Sequence, residues 1–160
     1  MSVAFTKEDS AETASETMLP DRPVSTHQNL VTEEGFAALE RQLAEAKKAY
    51  DLAGLVEDIN ERRRQQASPY RDLRYLTERL RTAERMAPPA SVDVVSFGCT
   101  VTFERDDGRV QTYRIVGEDE ADPVSGSISH VSPIARALMG KTVGEMATTG
   151  AHELEIVAIA

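Results

Sequence analysis

Hydrophobic residues recur in steps of three and four over the first half of the chain. One stripe contains Phe36, Leu39, Leu43, Ala46, Tyr50 and Ala53, and a second contains Leu73, Leu76, Leu80 and Ala83. A stripe of this kind covers only one side of a helix, so each helix needs a partner along its length. The pattern predicts an antiparallel helical hairpin over residues 31–87, beginning after Thr32, whose hydroxyl can cap the free N–H groups.

Three breakpoints compete for the bend of this hairpin: Gly54, the segment DINE at 58–61, and the pair Ser68–Pro69. A bend at 58–61 gives two arms of nearly equal length, so the apolar stripes pair fully, and we favour it. Pro69 would then lie inside the second helix and is expected to kink it. Ser68 and Pro69 would alternatively suit a helix start, so the position stays open.

The pattern changes to alternation of β-branched and polar residues from Val92 onward. The runs VDVVSFGCTVTFER, VQTYRIVG, GSISHVS and HELEIVAIA predict strands, and DDG between the first two predicts a hairpin turn. Ser132 and Pro133 mark the start of a short helix that ends before Gly140. The chain is therefore predicted to be α+β, with an antiparallel β domain and one short helix at 92–160.

Residues 1–30 show neither period and are rich in Ser, Thr, Glu and Ala, which predicts a flexible acidic tail. The formal net charge of −9 argues against a protein that coats nucleic acid by bulk electrostatics. The single cysteine, Cys99, excludes an intrachain disulfide and is expected to be a small packing residue. Without a long apolar run or a secretory leader, the chain is predicted to be cytoplasmic.

Two charged clusters are candidates for chemistry. Asp58 and Glu61 lie three residues apart, beside the basic run Arg62, Arg63 and Arg64. Carboxylates on a bend suit magnesium, which accepts oxygen ligands, but acids near a helix bend also pair with neighbouring arginines. The arginines could meet nucleic-acid phosphates or form a solvated face. The acidic run GEDEAD at 117–122 lacks EF-hand spacing, so it is expected to be a structural or docking turn.

Four segments, FGCTVTF, YRIVGEDEAD, ISHVSPIARALMGKTVGE and HELEIVAI, in this order after a helical hairpin, resemble the Gre family of bacterial transcription elongation factors, GreA and GreB. The resemblance implies a coiled coil followed by an FKBP-like domain that binds RNA polymerase at its secondary channel. It implies two acids at the coiled-coil tip, in a D-x-x-E-N arrangement, that share a magnesium ion with the polymerase to stimulate cleavage of backtracked RNA. The polymerase-binding candidates are Ser132, Arg136, Lys141, Asp119 and Glu120.

The sequence departs from that pattern in two respects. Arg62 stands where the family has asparagine, and the hairpin aligns as about one heptad shorter in each arm, which withdraws the tip by roughly 10 Å at 1.5 Å per residue. The expectation is an accessory elongation factor, not itself an enzyme, with Asp58 and Glu61 as candidate tip acids. The alternative is a non-cleaving regulator that competes for, or inhibits at, the same channel.

Further expectations concern partners. The chain is expected to be a monomer that meets DNA or nascent RNA only within the elongation complex, through Arg62, Arg63 and Arg64. A prolyl isomerase is disfavoured, because the C-terminal part has only Phe97, Phe103 and Tyr113 to line a proline pocket.

Overall fold

The computed structural model describes residues 18–160 of the chain. These residues form two compact units. The helical unit contains the described residues 18–25 together with 39–81, and the sheet unit contains residues 26–38 and 82–160.

Two long helices form the predicted hairpin. Helix α1 spans Glu33–Ala53 and helix α2 spans Ile59–Thr82, with 21 and 24 residues respectively. Residues 54–58 connect them, so the bend begins at Gly54 and ends at Asp58, slightly before the favoured position. Pro69 lies inside α2. Leu39 and Leu76 of the two stripes are buried, as the apolar periodicity predicted.

The sheet unit contains one very small sheet and one of five strands. Strand β1, Leu30–Val31, pairs in parallel with β2, Glu84–Arg85. The larger sheet has the order β5-β4-β3-β7-β6. Its strands are β3 Thr100–Arg105, β4 Val110–Val116, β5 Ser127–Ser129, β6 Met146–Thr149 and β7 His152–Ile159. Helix α3 spans Pro133–Leu138, and Pro123–Ser125 form a 3-10 turn.

These elements confirm an α+β chain with a helical hairpin and a mainly antiparallel sheet. The β3–β4 hairpin pairs as expected around the DDG turn. The edge strand β5 differs, because it pairs in parallel with β4. The FKBP-like character of this unit stays a prediction.

The core of the sheet unit is built from alternate residues of its central strands. Val101, Phe103, Ile115, Leu154 and Ile156 are almost fully buried. Leu138 and Ala135 of α3 belong to the same cluster. Cys99 is a buried free thiol, as expected for a packing residue.

The prediction of a strand over 92–99 is wrong. These residues form turns and bends, although Val95, Phe97 and Cys99 are buried. Their alternation arises because every second side chain of an irregular segment enters the core, a pattern that burial produces without strand pairing.

The predicted tail lies partly outside the described residues, which begin at Met18. Within the described part, Asn29 is buried and Leu30 belongs to β1. Asp21 and Arg22 form ion pairs with residues of α2. Residue 30 as the boundary of a tail stays a prediction. Over residues 18–160, no helix has the length and apolar character needed to cross a membrane.

Candidate functional site at the helical bend

Asp58 occupies the N-cap position of α2. Its Oδ1 atom accepts a hydrogen bond of 2.8 Å from the backbone N–H of Glu61. The first N–H groups of a helix have no partner within the helix, and a short acidic side chain just before the first turn satisfies one of them. An acid three residues later is also the spacing of a capping box, so D-x-x-E is a helix-start signal as well as a ligand pair.

Glu61 is held by its own helix. Its Oε2 atom accepts from Arg64 Nη1 at 3.2 Å, and its Oε1 atom accepts from Gln65 Nε2 at 2.9 Å. Residues three and four positions apart on a helix are neighbours, so these contacts follow from the sequence spacing. Both carboxylate oxygens of Glu61 therefore already accept protein donors.

Arg62 closes the bend between the two helices. Its Nε atom donates to the carbonyl of Val56 at 2.7 Å, and its Nη2 atom donates to the carbonyl of Glu57 at 3.1 Å. The carbonyls that follow a helix lack intrahelical partners, and the guanidinium satisfies two of them at once. The arginine that replaces the asparagine of the family pattern thus has a clear structural role.

The bend brings Asp58, Glu61, Arg62 and Arg64 together, whereas Arg63 is exposed and lines a cavity along α2. Within residues 18–160, no three or more His, Cys, Asp or Glu side chains cluster closely enough to hold a metal ion. The two acids, with a cationic Arg62 beside them and three oxygens already accepting N–H groups, do not fit a metal site of their own.

The predicted polymerase-binding residues of the sheet unit have mixed environments. Ser132 caps α3, because its Oγ atom accepts from Ala135 N at 3.3 Å. Arg136 is exposed, and Lys141 is half-buried with its carbonyl accepting from Val95 N at 2.8 Å. Arg136 is therefore the most accessible of the three.

Glu120 has a structural role at the start of α1. Its Oε2 atom accepts from Thr32 N at 3.0 Å, and its Oε1 atom accepts from the Thr32 hydroxyl at 2.5 Å. The same hydroxyl accepts from Gly35 N at 3.0 Å, which makes Thr32 the N-cap that the sequence predicted. Asp119 is half-buried beside it. The Glu120 carboxylate is thus committed to the helix start.

Two glycines make room for this arrangement. A Cβ atom on Gly35 would lie 2.0 Å from Glu120 Oε2, and one on Gly117 would lie 2.5 Å from the Leu30 carbonyl. Sequence reasoning missed this cluster. Its one sequence signal was a glycine in the first turn of a helix, where glycine is unfavourable and so needs a packing reason.

Acidic residues of the first turn of α1 are stabilised in their charged form. A side-chain hydrogen bond from Arg85 lowers the pKa of Glu33. The pKa of Glu34 is lowered chiefly by a hydrogen bond from its own backbone N–H, and further by Thr32 and Arg114. Negative charge at this end also suits the helix dipole.

Comparison with known proteins places the chain in a family. Residues 89–160 match the model "Transcription elongation factor, GreA/GreB, C-term". Transcription elongation factor GreA of Alkalilimnicola ehrlichii is 39% identical over 125 residues, covering 73% of this chain and 78% of the relative. GreA of Bacillus licheniformis is 55% identical over 60 residues, covering 37% of this chain and 38% of the relative.

The chain belongs to the GreA/GreB family of transcription elongation factors. It spans about half the length of several other curated relatives that it matches. A solved structure, the GreA factor homolog 1 protein of Thermus thermophilus, is 22% identical, with a TM-score of 0.40, over 84% of this chain and 99% of that chain.

Proposed function

We propose that this chain binds bacterial RNA polymerase at the secondary channel and regulates elongation without supplying tip carboxylates to the catalytic magnesium. Family membership supports the elongation role. The observation that carries the rest is the use of Asp58 and Glu61 in hydrogen bonds at the helical bend.

The cost of converting these acids to ligands supports this proposal. A magnesium ligand must approach to about 2.0–2.1 Å, which requires the carboxylate to turn toward the ion. Turning Asp58 away gives up an N-cap worth about 1 kcal/mol. Arg62 places a positive charge at the same bend, where it opposes a cation. The shorter hairpin that the sequence alignment indicates acts in the same direction.

A cleavage-stimulating factor is the second candidate. The D-x-x-E spacing favours it, as does the exposure of Asp58 at the bend. In that case the polymerase itself would have to recruit the side chains away from their present partners. Under either candidate the factor is an accessory protein, and the reaction belongs to the polymerase.

Transcript cleavage in stalled elongation complexes separates the two candidates. We expect the wild-type chain to release no more short 3′ RNA fragments than polymerase alone, while it changes the rate of elongation. The double variant Asp58→Asn, Glu61→Gln should behave identically, because asparagine keeps the N-cap and glutamine keeps the size of the side chain. A GreA relative with cleavage activity is the positive control.

Fragment release by the wild type that the double variant loses would establish the cleaving candidate instead. Polymerase binding is tested separately, by pull-down of core enzyme at low salt. Charge reversal of Arg136, the exposed candidate contact of α3, should weaken capture, whereas reversal of Arg81 on α2 should have little effect. Absence of capture by the wild type would defeat both candidates.

A further inference from the structure

The helical unit contains a cavity whose lining does not include Asp58 or Glu61. Its volume is about 920 Å³, and it lies between residues 18–21, one side of α2 and Tyr50 of α1. The lining residues from α2 are Arg63, Gln66, Ala67, Tyr70, Arg71 and Arg74. Most of them recur in steps of three or four, so they form one stripe along the helix.

One wall of the cavity is the chain segment 18–21, which an ion pair joins to α2. Asp21 pairs with Arg74 at 3.1 Å, and Arg22 pairs with Asp72 at 3.1 Å. The Arg22 guanidinium carbon also lies 3.8 Å from the centre of the Tyr75 ring, a cation–π contact. Two crossed ion pairs and this contact hold residues 21 and 22 against α2, at one end of the segment that lines the cavity.

The lining of the cavity carries net positive charge, although the protein as a whole is acidic. Three arginines line it, against the single carboxylate of Asp21, which already pairs with Arg74. The Nε atom of Arg71 is buried and has no hydrogen-bond partner among the described residues. Neither Arg63 nor Arg71 forms an ion pair among the described residues, so the cavity carries positive charge that a bound anion would balance. Arg71 also lines a second cavity of about 500 Å³ farther along α2.

Aromatic surface accompanies this charge. The Tyr50 and Tyr70 rings lie 6.0 Å apart with an interplanar angle of 39°. Tyr70 remains 51% exposed, so part of its ring is open to a ligand. Met18, Leu19 and Pro20 add apolar surface on the opposite wall. A flat, apolar group with an attached anion matches these two kinds of lining.

We propose that this cavity binds a nucleoside phosphate. The guanidinium groups of Arg63 and Arg71 hold the phosphates, since planar donor pairs match phosphate oxygens, and the base stacks on Tyr70. The volume lies within the range of small-molecule sites, about 300–1,000 Å³. A free nucleotide is favoured over a nucleic-acid chain, because the net charge of −9 opposes the extended phosphate contacts that a polynucleotide makes.

The test is calorimetric titration of the full chain with nucleoside triphosphates and diphosphates, without polymerase. Three further ligands separate the contributions: a nucleoside without phosphate, inorganic triphosphate without a base, and a short single-stranded RNA. We expect at least one nucleotide to bind with a Kd below about 1 mM. The nucleoside and inorganic triphosphate should each bind at least about tenfold more weakly, since each lacks one of the two contacts.

Variants assign the binding to this cavity. Arg71→Met should weaken nucleotide binding by about tenfold or more, the effect of losing one charge-assisted contact. Tyr70→Ala should weaken nucleotide binding but leave inorganic triphosphate binding unchanged. Arg81→Met is the matched control, because Arg81 lies on the same helix, pairs with Glu78 and does not line the cavity. Circular dichroism verifies that each variant keeps its helical content.

Several results would overturn the proposal. Absence of nucleotide binding near 1 mM would do so, as would equal affinity for inorganic triphosphate, which would indicate a general anion site. Tighter binding of the RNA than of any mononucleotide would indicate a nucleic-acid surface instead. An unchanged Kd in folded Arg71→Met would place the nucleotide elsewhere. Because the assay contains no polymerase, its failure leaves the proposed elongation role unaffected.

Discussion

Gly35 shows how one residue can couple a helix start to a distant loop. The Thr32 hydroxyl, which caps α1, donates to Glu120, and the absence of a side chain at Gly35 lets that carboxylate approach. Glycine in a helix costs about 1 kcal/mol relative to alanine. Here the space it leaves permits two hydrogen bonds to Glu120 that a methyl group would block.

We therefore expect Gly35→Ala to destabilise the chain, although alanine is the better helix former. The added Cβ would lie 2.0 Å from Glu120 Oε2, so this carboxylate must move and give up its two hydrogen bonds to Thr32. Hydrogen bonds to a charged group are worth about 1.5–3 kcal/mol each, more than the gain of about 1 kcal/mol in helix propensity. Urea denaturation of Gly35→Ala, Glu120→Ala and the double variant forms a cycle. The alanine at 35 should cost much less once Glu120 is removed, because the clash is then gone. Simple additivity of the two substitutions would contradict this account.

Asp58 and Glu61 illustrate why residue spacing alone does not define a site. The same two acids, three apart, serve as ligands on an exposed tip or as an N-cap followed by a first-turn acid. The sequence could not separate these meanings, because the choice depends on where α2 begins. The structure begins α2 at Ile59, directly after Asp58, and the capping hydrogen bond follows from that.

The sequence of helix α2 contains signals both for and against a continuous helix. Pro69 is its eleventh residue and has no N–H to donate to the carbonyl of Gln65, four residues earlier. The two apolar stripes favour a continuous helix, and proline disfavours it. Continuity prevails because α2 contacts Tyr50 of α1 on both sides of Pro69, through Gln66 before it and Tyr70 after it.

Replacing Pro69 with alanine should therefore stabilise the helical unit. The substitution restores one backbone hydrogen bond and removes a steric conflict, for an expected gain of about 1–3 kcal/mol. The measurement is urea unfolding followed by far-ultraviolet circular dichroism. Ser68→Ala on the same turn is the control and should change the stability by only about 0.5 kcal/mol. A loss of stability in Pro69→Ala would show that the proline makes favourable contacts that outweigh its missing donor.

Strands differ in how far the sequence predicts them. β3, β4 and β7 carry long alternation and a DDG turn, so local pattern and pairing agree. β1 and β2 have two residues each, too few to show a period. β6, MATT, has one buried residue, Ala147, and its pairing depends on β7 rather than on its own sequence. Short elements that depend on distant partners leave no local signal.

The whole molecule combines strong local patterns with contacts that only folding creates. The hairpin, the central strands and the capped helix starts at Thr32 and Ser132 could be predicted, because each depends on residues close in sequence. The Glu120 contact with Thr32 spans 88 residues, and the Asp21 contact with Arg74 spans 53, so neither was predictable. The arginine-lined cavity could not be predicted for the same reason, because residues 18–21 and Tyr50 that complete it are distant in sequence from the arginines of α2.

Net charge sets the expected behaviour of the whole chain toward nucleic acid. The chain has 18 basic and 27 acidic residues, and its densest basic run is largely committed, since Arg62 holds the bend and Arg64 pairs with Glu61. Only Arg63 of that run remains for a phosphate. One phosphate contact gives a slope of log K against log salt of about −0.9. Non-specific binding needs several such contacts and therefore shows a much steeper slope.

We expect no measurable binding of the full chain to double-stranded DNA by fluorescence anisotropy at about 0.15 M salt, up to about 100 μM protein, the weak end of non-specific affinity. A DNA-binding domain of known non-specific affinity serves as the positive control. Duplex binding with a steep salt dependence would contradict this expectation and would mean that the folded chain presents a basic surface. The proposed role does not require the free chain to bind duplex DNA.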